Sequence, residues 1–216
     1  MRRVRTAVLI SGSGSNMMAL IEAAKDPAYP AQIVLVISNK PDAPGVEKAR
    51  AAGIETLAID HRPFGKDREA HEFAIQAPLE KAKVELVALA GYMRILTPFL
   101  VGCWPGRMLN IHPSLLPLYP GLHTHRRAME AGDEEAGVTV HLVTTELDAG
   151  PILGQARVPV LVGDTEETLA ARVLGQEHSL YPACLAKVAR AIREDGLPPP
   201  GGAWPGAIGK HSGALG

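Results

Sequence analysis

Short apolar runs alternate with amphipathic stretches through the first half of the chain, and this alternation constrains the fold more than any other feature. Residues 4–10 are apolar and rich in β-branched side chains, and they stop at Ser11-Gly12-Ser13-Gly14-Ser15-Asn16. A helical pattern follows over 17–24, then a strand over 33–37, then a helix over 45–52 that stops at Gly53, a residue type that closes helices. Residues 54–59 read as a third strand. Residues 67–83 read as a helix that Pro78 is expected to kink or interrupt. Residues 84–90 form a fourth, apolar strand, and 108–111 a fifth. An apolar run such as the fourth belongs at the centre of a parallel sheet covered on both faces. The alternation therefore predicts a doubly wound α/β core, a mostly parallel central sheet flanked by helices.

The pattern changes after residue 120. Residues 123–131 look helical, and 138–143 and 152–160 look like strands separated by the loop 144–150. These two strands are expected to add an antiparallel C-terminal extension. Residues 165–194 form one long helical stretch with a break expected near Pro182. Asp164-Thr165-Glu166-Glu167 marks its start, with acids in the first turn. The chain divides into a single domain over 1–197 and a Pro/Gly-rich tail over 198–216, expected to be mobile. There are no internal repeats.

Lys and Arg number 22 against 23 Asp and Glu, for a net charge of −1. That balance gives no support for a broad nucleic-acid or membrane surface. No apolar run approaches the roughly 18 residues of a membrane span, and 4–10 is too short for a signal peptide's apolar core. The two cysteines, Cys103 and Cys184, lie far apart in the chain and follow no metal spacing. They read as free thiols in a reducing compartment, so a cytoplasmic location is expected.

Two loci carry chemistry. The first is strand, Gly12-x-Gly14-Ser15-Asn16, helix. Glycines let backbone approach an anion, and a helix N-terminus offers free N–H groups and positive dipole. The dinucleotide fingerprint needs a glycine where Met17 stands and an acid where Ser38-Asn39-Lys40 stands; the P-loop Gly-Lys-Ser/Thr is absent. A monophosphate fits better than NAD or ATP, against the alternative of an ordinary tight βα turn. The second locus is Asn110-Ile-His112, at the end of the fifth strand and followed by Pro113, Pro117 and Pro120. Residues i and i+2 of a strand share a face, so the amide and the imidazole would meet at the sheet edge where open α/β sheets bind ligands. An amide donor beside a titratable base suits attack on a carbonyl carbon. Alone, His112 also reads as a structural histidine. Asp148, in the loop between two apolar strands, supplies a carboxylate able to fix its tautomer and stabilise its charge. His123, His125 and His141 lie nearby in sequence but show no metal-ligand spacing, and no metal is expected. Gly12-Ser13-Gly14 lacks the spacing of a serine nucleophile elbow.

Seven segments in order resemble the phosphoribosylglycinamide formyltransferases, a branch of the folate-dependent formyltransferases. They are Ile-Ser-Gly-Ser-Gly-Ser-Asn (10–16), Ser-Asn-Lys (38–40), Ala-Gly-Tyr-Met-Arg-Ile-Leu (90–96), Asn-Ile-His-Pro-Ser-Leu-Leu-Pro (110–117), Tyr-Pro-Gly-Leu-His-Thr-His (119–125), Glu-Leu-Asp-Ala-Gly-Pro (146–151) and Gln-Glu-His (176–178). The resemblance implies a Rossmann-like formyltransferase fold. It also implies transfer of the formyl group of 10-formyltetrahydrofolate, as co-substrate and without a metal, to the amine of 5-phosphoribosylglycinamide. It assigns Asn110, His112 and Asp148 to catalysis. Gly14, Ser15, Asn16, Gln176 and Glu177 fall to the ribonucleotide. Arg68, Met93, Arg94, Ile95, Leu96, Asn110 and the loop Thr144, Thr145, Glu146, Leu147 and Asp148 fall to the folate. The implied partners are these two small molecules, with the protein a monomer or homodimer. Ser13, Tyr92, Leu118 and Ala149 depart from the pattern, which commonly carries Asn, Phe, Lys and Gly there. A formyltetrahydrofolate hydrolase and a non-catalytic folate- or nucleotide-binding protein are the alternatives. A tRNA formyltransferase would need an additional RNA-binding domain, for which 216 residues leave little room.

Overall fold

The computed structural model describes residues 2–196; the tail predicted over 198–216 lies outside them. Seven strands form one sheet, β1 (Val4–Ile10), β2 (Ala31–Ser38), β3 (Thr56–Ala58), β4 (Leu86–Leu89), β5 (Met108–His112), β6 (Glu135–Leu142) and β7 (Ile152–Pro159), in the order β3-β2-β1-β4-β5-β6-β7. The pairs from β3 through β5 are parallel, and β5·β6 and β6·β7 are antiparallel. The order reverses beside β1, the crevice where open α/β sheets place ligands.

Alternation along β1 shows how the core is divided. Val8 and Ile10 pack on one face with Met17 and Leu20 of α1 (Ser15–Ala23) and with the long C-terminal helix α6 (Glu166–Asp195). Ala7 and Leu9 pack on the other with Ile75 and Leu79 of α3 (Arg68–Lys81) and Leu100 of α4 (Pro98–Cys103). Period-two side-chain alternation gives each face its own apolar layer. The remaining helices are α2 (Pro44–Ala51) and α5 (Thr124–Ala131).

The prolines depart from expectation. Both α3 and α6 run unbroken, through Pro78 and Pro182. Pro78 sits in the last turn of α3, where Ala82 N–H still donates to its carbonyl at 2.9 Å. Pro182 lies between fully buried Tyr181 and the buried Cys184–Leu185 pair, and its carbonyl accepts from Tyr29 Oη at 2.7 Å. Packing on both sides holds the helix where one missing N–H alone would loosen it. Tyr181 also ties α6 to the sheet: its hydroxyl donates to Leu89 O at 2.9 Å and lies 3.3 Å from Leu109 O. The start of α6 at Thr165 is a capping box with Thr168. Helix α4 and a short 3₁₀ turn at Arg62–Phe64 carry no periodic signal, being too short to show one.

Candidate functional site

β5 is the seam between the parallel and antiparallel halves of the sheet, and it ends in the Asn110–His112 pair. His112 is buried. Its Nε2 lies 2.9 Å from the Tyr119 carbonyl and its Nδ1 lies 3.5 Å from Asp148 Oδ2. Both ring nitrogens thus face an acceptor, and an imidazolium, with two N–H groups, can serve both. The Asp148 side chain is 6% exposed and also accepts from Gly121 N–H at 2.9 Å. Its backbone takes φ 52, a left-handed conformation that aspartate tolerates better than most residues. The loop after β6 thereby turns its carboxylate inward. Ala149 is not among the positive-φ residues, so its backbone has no need of the glycine expected there from the sequence pattern. Gly150 is the constrained neighbour, since a Cβ there would lie 1.8 Å from the Leu142 carbonyl oxygen.

The proline-rich loop after His112 is fastened from below. Thr139 Oγ1 donates to Ser114 O at 2.7 Å and accepts from Leu116 N–H at 3.0 Å; Gln155 Nε2 donates to Leu116 O at 2.9 Å. Tyr119, whose carbonyl meets His112, is held by its hydroxyl on Asp133 at 2.7 Å.

At the end of β1, Gly14 occupies the N-cap of α1 with φ 70 and no side-chain cap. The first-turn N–H groups of α1 therefore have no intrahelical partners and no side-chain cap, the arrangement that receives anions. Gly45 of α2 packs against this turn. Its N–H donates to Gly12 O at 3.0 Å, and a Cβ on it would lie 2.6 Å from Ile10 Cδ1. Asn16 Nδ2 donates to Glu177 of α6, bringing together two residues 161 positions apart. Burial pushes the Glu177 carboxyl up, and the Asn16 hydrogen bond partly opposes that. Asn16 Oδ1 is buried without a hydrogen-bond partner among the described residues. Gln176, one residue before Glu177, is exposed.

On the other side, the segment 91–97 follows β4. Met93 and Ile95 are 64% and 59% exposed, and Arg94 and Leu96 are half-buried. Arg68 donates to Ile95 O at 3.3 Å, and together with Gly65, Lys66 and residues 93–95 it lines an open groove of about 460 Å³. Buried Glu72 fixes the segment's far end, accepting from Thr97 N–H at 2.7 Å, from Thr97 Oγ1, and from Leu100 N–H at 3.4 Å. Ser11 Oγ ties the near end to the anion loop, accepting from Met93 N–H at 2.8 Å while donating to Asn39 Oδ1 at 2.6 Å. Thr145, Glu146 and Leu147 are exposed, and Thr144 Oγ1 donates to Glu146 O at 3.2 Å.

Sequence reasoning missed Ser11, Glu72 and Thr139, which support the loops from beneath. Only the strand register and helix packing reveal them. It noticed His141 only as one of several histidines, yet His141 pairs directly across β5·β6 with Asn110. Among the described residues no group of three or more His, Cys, Asp or Glu side chains is arranged to hold a metal ion. The arrangement offers an amide donor and a charge-capable imidazole at one point, a carboxylate behind the imidazole, an anion cradle on one side and an apolar-rimmed groove on the other.

Comparison with known proteins agrees with that chemistry. The family model "Formyl transferase" matches residues 4–185. The phosphoribosylglycinamide formyltransferase of Escherichia coli K12 is 51% identical over 179 residues, which cover 83% of this chain and 84% of that one. The trifunctional purine biosynthetic protein adenosine-3 of Drosophila melanogaster is 49% identical over 187 residues, 86% of this chain but 14% of that longer protein. Among solved structures, phosphoribosylglycinamide formyltransferase from Brucella melitensis superposes with a TM-score of 0.83 at 57% identity, covering 87% of this chain and 96% of the other. Glycinamide ribonucleotide transformylase 1 from Symbiobacterium toebii superposes with a TM-score of 0.84 at 45% identity, covering 87% and 88%. With the family model spanning most of its length and relatives of this identity across nearly whole chains, the protein belongs to the formyl transferase family.

Proposed function

We infer that this protein transfers the formyl group of 10-formyltetrahydrofolate to the amine of 5-phosphoribosylglycinamide, giving formylglycinamide ribonucleotide and tetrahydrofolate on the route to purine nucleotides. The observation that carries the reading is the meeting of Asn110, His112 and Asp148 at one strand end, in a chain so similar to enzymes named for this reaction. The ribonucleotide phosphate lies at Gly14, Ser15 and Asn16, with Glu177 and Gln176 toward its ribose and glycinamide end. The folate lies along Arg68 and Met93–Leu96, with its pterin against Thr144–Asp148.

In this arrangement the amine nitrogen attacks the formyl carbon, and the carbonyl oxygen becomes an oxyanion. Asn110 Nδ2–H donates to that oxygen, and the positive charge of the His112 imidazolium, whose two N–H groups face Tyr119 O and Asp148, stabilises it electrostatically. The intermediate collapses with cleavage of the bond from the formyl carbon to the folate nitrogen. The proton lost by the attacking amine passes to that nitrogen, and the Asp148 carboxylate, behind His112, serves the relay. No covalent bond to the protein is needed. Holding two substrates in contact supplies much of the acceleration.

The unit that performs the reaction is residues 1–197, as a single domain; one sheet running through the described residues supports this. No described helix is long and apolar enough to cross a membrane. We place the protein in the cytoplasm, as a monomer or homodimer.

The test is spectroscopic. Deformylation of a 10-formyl folate is followed with and without glycinamide ribonucleotide, for wild type and Asp148→Asn. Loss of formyl only with the ribonucleotide present is expected; loss without it would indicate a hydrolase instead. Asp148→Asn is expected to lower turnover by about 10²-fold or more, with KM values little changed, in line with other proton-handling side chains. Near-wild-type turnover in Asp148→Asn would remove the role given to that carboxylate.

A further inference from the structure

His141 touches two of the three residues placed at the reaction centre, and none of the sequence motifs includes it. It stands directly opposite Asn110 in the antiparallel β5·β6 pair and is 2% exposed. Its Nδ1 lies 2.9 Å from the Leu142 carbonyl oxygen, an atom that can only accept. Nδ1 therefore carries the hydrogen, and in the neutral ring Nε2 carries a lone pair. That lone pair lies 3.2 Å from Asn110 Nδ2. Asp148 Oδ1 lies 3.7 Å from the same Nε2.

The consequence concerns which end of the Asn110 amide faces which way. An asparagine amide can rotate by half a turn and exchange its donor and acceptor ends. Against a ring nitrogen bearing a lone pair, the NH₂ end is held and the oxygen end is repelled. One NH₂ hydrogen goes to His141 and the second is left for an incoming oxygen. We propose that His141 is a positioning residue: its Nδ1–H tautomer, set by the Leu142 carbonyl, locks the Asn110 amide with Nδ2 toward the reaction centre. Burial presses the His141 ring toward its neutral form, which keeps Nε2 an acceptor. The inference rests on the role given to Asn110 under Proposed function.

The two halves of the ring can be separated by substitution. In His141→Gln the side-chain amide reaches the Nε2 position, where its oxygen can accept from Asn110. In His141→Asn the amide reaches only the Nδ1 position, which keeps the Leu142 contact and abandons Asn110. A merely structural histidine would favour His141→Asn, because that variant preserves the bond to the buried backbone. The positioning role favours His141→Gln. We expect His141→Asn to lose kcat by about 10²–10³-fold, the cost of one oxyanion donor. His141→Gln should retain kcat within about tenfold of wild type, and KM for both substrates should move little in either. Equal kcat in the two variants, or a higher kcat in His141→Asn, would overturn the proposal.

A second measurement does not depend on the variants folding. Long-range ¹H–¹⁵N correlation on the unliganded wild type should show His141 protonated at Nδ1 at neutral pH. A ring protonated at Nε2 would equally overturn the proposal. The broader functional reading fails in a different way: wild type would then leave the formyl folate untouched in the presence of ribonucleotide, whatever the tautomer.

Discussion

At the scale of single residues, the molecule shows where a side chain works against its surroundings. Tyr92 stands where the family pattern noted from the sequence leads one to expect phenylalanine. It is 8% exposed, within the apolar layer that includes Leu100 and Trp104, and its hydroxyl is buried without a hydrogen-bond partner among the described residues. Burial pushes its pKa upward, as expected for a phenol denied water. An unsatisfied buried polar group costs about 1–3 kcal/mol. Tyr92→Phe should therefore raise stability by about 1 kcal/mol, read as a higher urea midpoint at unchanged slope. A lower midpoint would mean that the hydroxyl has a partner. The glutamate of the long helix gives the opposite lesson. On a charged stretch Glu177 looks like solvated surface, yet it is buried and paired with Asn16, a contact that only the packing of α6 against α1 makes visible.

At the scale of elements, the anion loop depends on a glycine outside it. Gly45 opens α2, and its missing Cβ lets that helix approach Gly12 and Gly14. In Gly45→Ala the new methyl meets Ile10 Cδ1 and the Gly12 carbonyl, so the loop must shift. We expect a loss of about 1–3 kcal/mol in stability, typical of overpacking, and a raised KM for the ribonucleotide with KM for the folate unchanged. Steady-state kinetics with each substrate varied in turn would check it; equal rises in both KM values would contradict it. The strands and helices around this loop were legible because each apolar run is bounded by Gly, Ser or Asn. The Asn110–His112 pair was legible because strand geometry puts i and i+2 on one face. Ser11, Thr139 and Glu72 were not, because a lone hydroxyl or carboxylate carries no periodic mark and its partner lies far along the chain: Ser11 meets Met93, 82 residues away.

At the scale of the whole molecule, three histidines, two buried and one half-buried, shape the response to acid. Burial lowers the pKa of His71, His125 and His141. The unfolded chain, with ordinary values near 6.5, then binds more protons than the native one as pH falls, so stability is full above about pH 6.5 and is lost below it. Glu177, raised by burial, works in the other direction from about pH 4.5 upward, one group against three. Urea midpoints should fall between pH 7 and 5, and less steeply in His71→Phe; a flat profile would show that these rings are not held neutral. The seam at β5 has a consequence of a different kind. The amide and imidazole ride on the parallel half, while the carboxylate arrives on the turn between β6 and β7. Opening the backbone at Gly132, between α5 and β6, would divide the protein into two polypeptides, neither owning all three groups. Each would be inert alone, and restored turnover on mixing would report that the two had found each other.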